Sequence, residues 1–312
     1  MLFSSSADRE EFGVADSTLT GAHPIVSDAI SSSTANCIVR LMPSRYQYVP
    51  LTYVPLAEGE IPVRILAISA HPDDVELLCA GTLAHYATQG AEVTVAVLTN
   101  GELGSRTLSR AETARVRQAE AERAARVLGA NLLWLGQQDG FLFDNSETRL
   151  LVIDALRQAQ PDVVFAHHPD DYHPDHRAAG QLTNAARLLS REPALETRYS
   201  PTRRVPSLFF MDTFMTEGSA TPDLWVDVTV TMPCKEAMLA EHISQNDARR
   251  ARTGSDFLAL MRTQASLRGG QVDVRYAEAF RVARTYPPTS ITDLTPPDSN
   301  MTLPVRSVSS RA

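Results

Sequence analysis

The sequence lacks several features that would assign it to a special class of protein. Its 312 residues carry a formal net charge of −8 without any block of like charge, which argues against nucleic acid and anionic membrane as partners. No uninterrupted apolar stretch approaches the length of a membrane span, and residues 1–11 have neither the basic segment nor the apolar core of a secretory signal. We therefore predict no nucleic-acid partner and no membrane association.

Cysteine is also scarce. The three cysteines, Cys37, Cys79 and Cys234, are far apart in the chain, and none belongs to a CxxC pair. This spacing favours reduced thiols and a cytoplasmic location. The remaining composition, 43% hydrophobic and 21% charged, is that of a globular protein with one large α/β domain or two small ones.

Short apolar segments alternate with amphipathic ones from residue 61 onward. Strands are predicted at 63–69, 92–98, 131–135 and 162–166, each followed by a predicted helix, at 74–89, 110–128, 147–159 and 176–189. This alternation implies right-handed crossovers and parallel strands. We predict an α/β, doubly wound, Rossmann-like sheet that is mostly parallel, has helices on both faces and has strand order 3-2-1-4-5.

The second half of the chain is less regular. Its predicted strands, 207–212, 224–230 and 276–282, and helices, 233–245 and 255–268, are assigned to the same domain. The domain is predicted to span residues 61–284. Residues 1–60 are predicted to be a largely disordered N-terminal extension, and residues 285–312, rich in Pro, Ser and Thr, a disordered tail.

The first predicted strand leads directly into His71-Pro72-Asp73-Asp74. Pro72 favours an extended conformation at His71, and the two aspartates fall at a helix N-terminus, where negative charge is stabilised. By itself the motif has two interpretations. It is either an N-cap with one extra acid or part of a functional site.

A second cluster follows the fourth predicted strand, where residues 167–176 contain four histidines and three aspartates. In the predicted strand order the first and fourth strands are neighbours, and ligands bind beyond their C-terminal ends. Histidine and carboxylate side chains from two loops suit a divalent metal of the zinc type, with a position left open for water. No GxGxxG motif follows the first strand, so a dinucleotide site has no support.

These motifs resemble those of the LmbE-like, or PIG-L, family of metal-dependent deacetylases that act on N-acetylglucosamine units. The resemblance covers residues 63–283. The matching segments are Ala70-His71-Pro72-Asp73-Asp74 and His173-Pro174-Asp175-His176, with weaker matches at 100–106, 139–140 and 276–280. One departure is Ala80-Gly81-Thr82, where the family often has Gly-Gly-Thr.

The resemblance implies a zinc-dependent N-deacetylase, a hydrolase of linear amide bonds. Such an enzyme uses metal-activated water to remove the acetyl group from an N-acetylglucosamine-type small molecule. The resemblance further implies that His71, Asp74 and His176 bind Zn²⁺, and Fe²⁺ could occupy the same ligand set.

The resemblance also implies roles for residues beside the metal. Asp73 is the expected general base, His173 is expected to stabilise or protonate the tetrahedral intermediate, and Asp175 is expected to orient an active-site imidazole. Arg106 and Asp139 are candidate substrate contacts, although Arg106 could equally be a solvated loop arginine and Asp139 a turn residue.

Two alternatives stay open at this stage. The same family contains amidases that cleave thiol–sugar conjugates. A third interpretation, from another functional class, is a catalytically silent metal- or sugar-binding protein on the same fold. The expected partner is a small-molecule N-acetyl sugar, and a homo-oligomer is also compatible with the sequence.

A repeat of the first motif occurs within the second cluster, at His168-Pro169-Asp170-Asp171. It runs on into Tyr172 rather than into a helix, so its carboxylates lack the helix start that positions Asp73 and Asp74. We therefore expect His167 and His168 to be ordinary residues at the end of a strand.

Overall fold

A computed structural model of the chain describes residues 62–214, 221–296 and 301–306. The extension predicted for residues 1–60 lies outside these ranges. Within them, no helix combines the length and the apolar character that crossing a bilayer requires.

The described chain alternates strands and helices through its first half, as predicted. The strands are β1 Arg64–Ser69, β2 Glu92–Thr99, β3 Asn131–Gln137, β4 Val163–Ala166, β5 Ser207–Met211, β6 Leu224–Asp227, β7 Ala277–Val282 and β8 Val305–Arg306. The helices are α1 Asp74–Leu78, α2 Ala80–Thr88, α3 Arg110–Leu128, α4 Ser146–Ala159, α5 Pro174–Leu189, α6 Met232–Ala240, α7 Ile243–Thr253 and α8 Phe257–Gly270.

All eight strands form one sheet in the order β3-β2-β1-β4-β5-β7-β6-β8. The first five strands pair in parallel, and β7, β6 and β8 extend the sheet in antiparallel fashion. The predicted order 3-2-1-4-5 is confirmed. Because the order reverses between β1 and β4, the C-terminal ends of these strands flank the crevice where such folds bind ligands.

Apolar clusters cover both faces of the sheet. In β1, Ile65 and Ala67 join the cluster packed under α2 and α6, whereas Leu66 and Ile68 join the cluster under α4 and α5. A strand buried on both faces reads as a continuous apolar run, and this explains the lack of polar alternation in the sequence of β1.

The single helix predicted for residues 74–89 is two helices, because the chain breaks at Cys79. The carboxylate of Glu278, on β7, accepts hydrogen bonds from the backbone N–H groups of Gly81 (2.9 Å) and Thr82 (2.7 Å) and so caps α2. A Cβ atom on Gly81 would lie 2.7 Å from Val228, so this close approach requires glycine. The segments 80–82 and 276–280 therefore meet in space.

Two further predictions differ from the structure. The helix predicted at 233–245 ends at Ala240, and the separate helix α7 follows. Cys79 is a buried free thiol, but Cys234 is disulfide-bonded, contrary to the prediction of reduced cysteines.

Part of the tail predicted to be disordered is packed against the domain. Residues Ile291–Leu294 form a 3₁₀ turn, and the Tyr86 hydroxyl donates a hydrogen bond to the Leu294 carbonyl at 2.6 Å. Leu294 and Met301 are buried in the same apolar cluster as Tyr86. The prediction of disorder does not hold for these described residues, because their apolar side chains have a core to join.

Candidate metal centre

The two predicted clusters meet at the C-terminal edge of β1 and β4. His71 Nδ1 lies 3.2 Å from His176 Nε2 and 3.3 Å from Asp74 Oδ2, and His176 Nε2 lies 3.4 Å from Asp74 Oδ1. All three side chains are buried. The ligand atoms of a tetrahedral ion with bonds of about 2.0–2.1 Å are about 3.3–3.4 Å apart. His71 contacts Oδ2 of Asp74 and His176 contacts Oδ1, so these distances do not describe three single ligand atoms. The groups whose single ligand atoms lie close enough to hold a metal ion are His71 with His173 and His176, Asp74 with His167 and His176, and His71 with Asp139 and Asp175.

Carboxylates hold the outer nitrogens of both imidazoles. His71 Nε2 faces Asp139 Oδ1 at 3.2 Å and Asp175 Oδ2 at 3.3 Å, and His176 Nδ1 faces Asp171 Oδ1 at 3.1 Å. Because a carboxylate accepts, each outer nitrogen carries a proton. A cation bound at the shared point would displace the second proton of each ring and take the inner nitrogen as its ligand. Metal-binding histidines are oriented in this way.

The charge balance of the cluster also fits a cation. Burial lowers the pKa of His176, but the carboxylates of Asp74 and Asp171 outweigh it and raise this pKa to about 9. Burial likewise lowers the pKa of His71, and Asp74, Asp139 and Asp175 together raise it well above its usual range. A buried site that attracts protons this strongly suits a divalent cation.

Backbone groups of the loop after β3 fix Asp175. Its carboxylate accepts hydrogen bonds from the N–H groups of Gly140 (2.7 Å) and Leu142 (3.2 Å) as well as contacting His71. Gly140 has a φ of 81°, a conformation that favours glycine. Asp175 therefore contacts the His71 ring while backbone groups fix its own position, as expected of an acid that orients an active-site imidazole.

The two candidate substrate contacts lie in different surroundings. Asp139 is buried, accepts a hydrogen bond from the Leu103 N–H at 3.0 Å and contacts His71. Arg106 is exposed in the loop between β2 and α3, and its side chain is not part of the converging cluster.

The backbone and side chain of Asp73 argue against a helix-capping role. Its φ is 104°, a strained conformation for a residue other than glycine, and its side chain makes no capping hydrogen bond to α1. Its carboxylate contacts Arg117 Nη2 at 3.2 Å instead. Burial raises the pKa of Asp73 to about 6, although Arg117 acts to lower it. A carboxylate with such a pKa suits proton transfer near neutral pH.

Arg117, on α3, is a site residue that the sequence analysis missed. Its buried guanidinium also donates to the carbonyl oxygens of Pro72 (2.6 Å) and Gly101 (3.0 Å). Arg117 shares a helix face with the buried residues Ala121 and Ala124. The sequence did contain a signal for this role: Arg117 is spaced four and seven residues from the alanines of the buried face, so it lies on the buried side of an otherwise polar helix.

His173 lies beside the two imidazoles as the N-cap residue of α5. Its ring centroid is 4.8 Å from that of His71 and 4.7 Å from that of His176. His173 Nδ1 accepts a hydrogen bond from the Asp175 N–H at 3.3 Å, so Nε2 carries the proton of the neutral ring. Burial, followed by His71 and His176, lowers the pKa of His173 and favours this neutral form.

His167 was expected to be an ordinary residue at the end of a strand, but it belongs to the cluster. It is fully buried, its Nε2 lies 3.0 Å from Asp74 Oδ2, and its ring stacks on His176 at 3.9 Å. Burial lowers the pKa of His167 to about 4, so the ring is neutral. The pairing of β4 with β1, which tertiary structure supplies, brings this residue to Asp74.

Comparison with known proteins agrees with this arrangement. The model of the PIG-L family, described as GlcNAc-PI de-N-acetylase, matches residues 66–187. This stretch contains both clusters of the candidate metal centre.

Three similar proteins are informative. The 4-oxalmesaconate hydratase of Pseudomonas putida is 27% identical over 186 residues, which are 56% of this chain and 70% of that protein. The diacetylchitobiose deacetylase of Thermococcus kodakarensis is 32% identical over 127 residues, 38% of this chain and 47% of that enzyme. The aligned stretch therefore spans less than half the length of this second relative.

The third similar protein is a solved structure. N,N'-diacetylchitobiose deacetylase from Pyrococcus horikoshii superposes with a TM-score of 0.62 at 31% identity, and the match covers 74% of this chain and 88% of that chain. The similarity thus extends through most of the fold.

Proposed function

This chain belongs to the PIG-L family, and on that premise we propose that it is a metal-dependent hydrolase that removes the acetyl group from an N-acetylglucosamine-type small molecule. The observation that carries the proposal is the convergence of His71, Asp74 and His176 to within 3.2–3.4 Å, with Asp73 next to them in the chain. Two deacetylases among the similar proteins support the reaction class.

His71, Asp74 and His176 would hold the metal, and Zn²⁺ or Fe²⁺ bound there would lower the pKa of a water molecule and polarise the acetyl carbonyl. The remaining groups move protons and orient side chains. Asp73 accepts a proton from the attacking water, whose oxygen bonds to the acetyl carbon. His173 donates a hydrogen bond from its Nε2–H to the oxyanion of the tetrahedral intermediate. The proton taken up by Asp73 passes to the leaving nitrogen as the carbon–nitrogen bond breaks, so that acetate and the free amine leave.

Asp73 and His173 are suited to these roles for different reasons. The ion pair with Arg117 holds the Asp73 carboxylate away from the helix backbone. The hydrogen bond from the Asp175 N–H fixes the protonated nitrogen of His173 on the other side of the ring. Under this proposal Asp73 is the base, and the Nε2–H group of His173 is the donor to the intermediate.

The test combines metal analysis with acetate release from N-acetylglucosamine substrates. Asp74→Ala removes a ligand and should lower both metal content and activity. Asp73→Asn keeps the shape of the side chain but cannot take a proton. It should retain metal and lose activity by about 10²- to 10⁴-fold. His173→Ala should resemble Asp73→Asn, because its effect is on the intermediate.

Asp170→Asn is the matched control, because Asp170 occupies the same place in the repeated His-Pro-Asp-Asp motif but is exposed. It should behave as wild type in both measurements. Full activity of Asp73→Asn would mean that another residue is the base. Tight zinc binding by the wild type without acetate release from any N-acetyl sugar would favour the silent binding protein.

A further inference from the structure

His168 and Arg281 line a small open pocket, together with Asp212, that the proposed mechanism does not use. His168 follows β4, and Arg281 lies on β7 opposite Phe210 at the C-terminal end of β5. The pocket is therefore on the same edge of the sheet as the metal centre, and Arg281 lies two strands beyond β4 in the order β1-β4-β5-β7.

The hydrogen bonds around His168 contain an excess of donors. The Asp170 N–H donates to His168 Nδ1 at 3.1 Å, and Arg281 Nη1 lies 3.0 Å from His168 Nε2. A neutral imidazole has only one accepting nitrogen, and a guanidinium has no acceptor. One N–H group of this trio therefore faces another N–H group, and an added acceptor would satisfy both.

Arg281 also lacks a carboxylate of its own within the described parts of the chain. The two carboxylates with the largest electrostatic effect on Arg281 are Asp223 and Asp212. Each already accepts hydrogen bonds from another arginine: Asp212 from Arg268 at 2.7 and 2.9 Å, and Asp223 from Arg284 at 2.8 Å. Asp170 also acts on Arg281, and its exposed carboxylate lies 3.8 Å from His168 Nδ1. Among the described residues, the Arg281 guanidinium therefore lies in the field of three carboxylates but forms no ion pair with any of them.

We propose that His168 and Arg281 form a subsite for an oxyanion, a phosphate or carboxylate group, on the substrate. An oxyanion accepts hydrogen bonds from both side chains and neutralises the guanidinium, whose planar donors suit such groups. The inference rests on the proposed function and narrows it to N-acetyl sugars that carry an anionic group. Adjacent strands are about 4.8 Å apart, so β7 lies about 10 Å from β4, and an N-acetyl sugar together with its anionic substituent is needed to reach from the metal centre to Arg281.

The first experiment measures acetate release by the holoenzyme from three sugars: N-acetylglucosamine, N-acetylglucosamine 6-phosphate and N-acetylmuramic acid. The phosphate and carboxylate arms identify which oxyanion the subsite takes. Arg281→Met should raise KM about 10- to 100-fold for the preferred anionic sugar, the usual range for loss of a charge-assisted hydrogen bond, and leave the neutral sugar unaffected. Arg281→Lys, which keeps the charge, should fall between wild type and Arg281→Met.

Arg64→Met is the matched control. It removes the same charge at the opposite, N-terminal edge of the sheet, where Arg64 pairs with Glu92. All three sugars should be processed as by wild type. Equal KM values for Arg281→Met and Arg64→Met on both anionic sugars would overturn the subsite.

A second experiment separates the subsite from the proposed reaction. Inorganic phosphate is titrated into the metal-loaded wild type, Arg281→Met and Arg64→Met. Phosphate that binds to the metal binds equally in all three proteins, so a difference in affinity reports binding at Arg281. A weakening of about 10-fold or more in Arg281→Met alone supports the subsite even if no sugar is deacetylated, and only the proposed function then fails. Acetate release without any dependence on Arg281 leaves the function standing and removes the subsite.

Discussion

At the scale of single residues, Asp73 and Asp74 are chemically identical neighbours with opposite electrostatic surroundings. Burial raises the pKa of both, but His176, His167 and His71 together hold the pKa of Asp74 well below its usual range. Asp73 has only Arg117 as a strong compensating charge, and its pKa rises to about 6. One carboxylate thus stays ionised, as a ligand must, and the other is suited to exchange a proton.

Arg117 leads to a prediction about pH dependence. Asp73 must be ionised to accept a proton, so activity is lost as pH falls through its pKa. The Arg117 cation stabilises the ionised form, so Arg117→Met should raise this pKa and move the acid limb of the kcat/KM profile to higher pH. The measurement is a pH–rate profile from about pH 4 to 9.

The control for this prediction is Arg115→Met, two residues earlier on the same helix and exposed. Its acid limb should coincide with that of wild type. An unchanged acid limb in Arg117→Met would mean that another group titrates in the profile.

At the scale of elements, the break between α1 and α2 is stabilised by a residue of the distant strand β7. Glu278 on β7 accepts from Gly81 and Thr82 and pairs with the buried amine of Lys235 on α6. Three elements distant in sequence therefore meet at one helix N-terminus.

The close packing at Gly81 predicts a stability change. In Gly81→Ala the new Cβ would lie 2.7 Å from Val228 and 3.1 Å from Glu278 Oε1. We expect the free energy of unfolding to fall by about 1–3 kcal/mol, as in overpacked cores. Urea denaturation measures the change.

Gly270→Ala is a matched control at the end of α8, where a Cβ would meet nothing within 4 Å. It should leave stability unchanged or raise it by up to about 1 kcal/mol, because alanine loses less conformational entropy in a helix. Equal losses in the two variants would show that close packing is not the reason for glycine at position 81.

At the scale of the whole molecule, the sheet combines two sections with different tasks. The parallel section β3-β2-β1-β4-β5 supplies the switch point and the metal centre between β1 and β4. The antiparallel section β7-β6-β8 carries Glu278 and Arg281, which contact the parallel section from one side. The later, less regular half of the chain therefore supplies contacts to α2 and to the loop after β4.

The packed tail predicts that the domain is longer than residues 61–284. Truncation after Ser290 removes Leu294 and Met301 from the core and β8 from the sheet edge. We expect the free energy of unfolding to fall by about 2–5 kcal/mol, the usual cost of emptying a buried apolar site. Chemical denaturation of the truncated and full chains measures this.

Truncation after Arg306 is the control, since it removes only residues 307–312 and keeps Leu294, Met301 and β8. Its stability should match that of the full chain. If truncation after Ser290 were equally harmless, the contacts of the tail would contribute nothing to folding.

The sequence alone determined the order and spacing of the strands and helices, because apolar periodicity and helix termini depend on neighbours in the chain. It also determined that His71, Asp74 and His176 come together, since each follows a strand whose place in a doubly wound sheet is predictable. The similarity of these motifs to one family then supplied the expected chemistry.

Only the tertiary structure decided which distant groups complete the site. Arg117 reaches Asp73 across 44 residues and His167 reaches Asp74 across 93 residues. The contact of Arg281 with His168 spans 113 residues. No local pattern specifies such pairs, because a polar side chain chooses its partner from whatever the packed helices and strands bring within hydrogen-bonding distance.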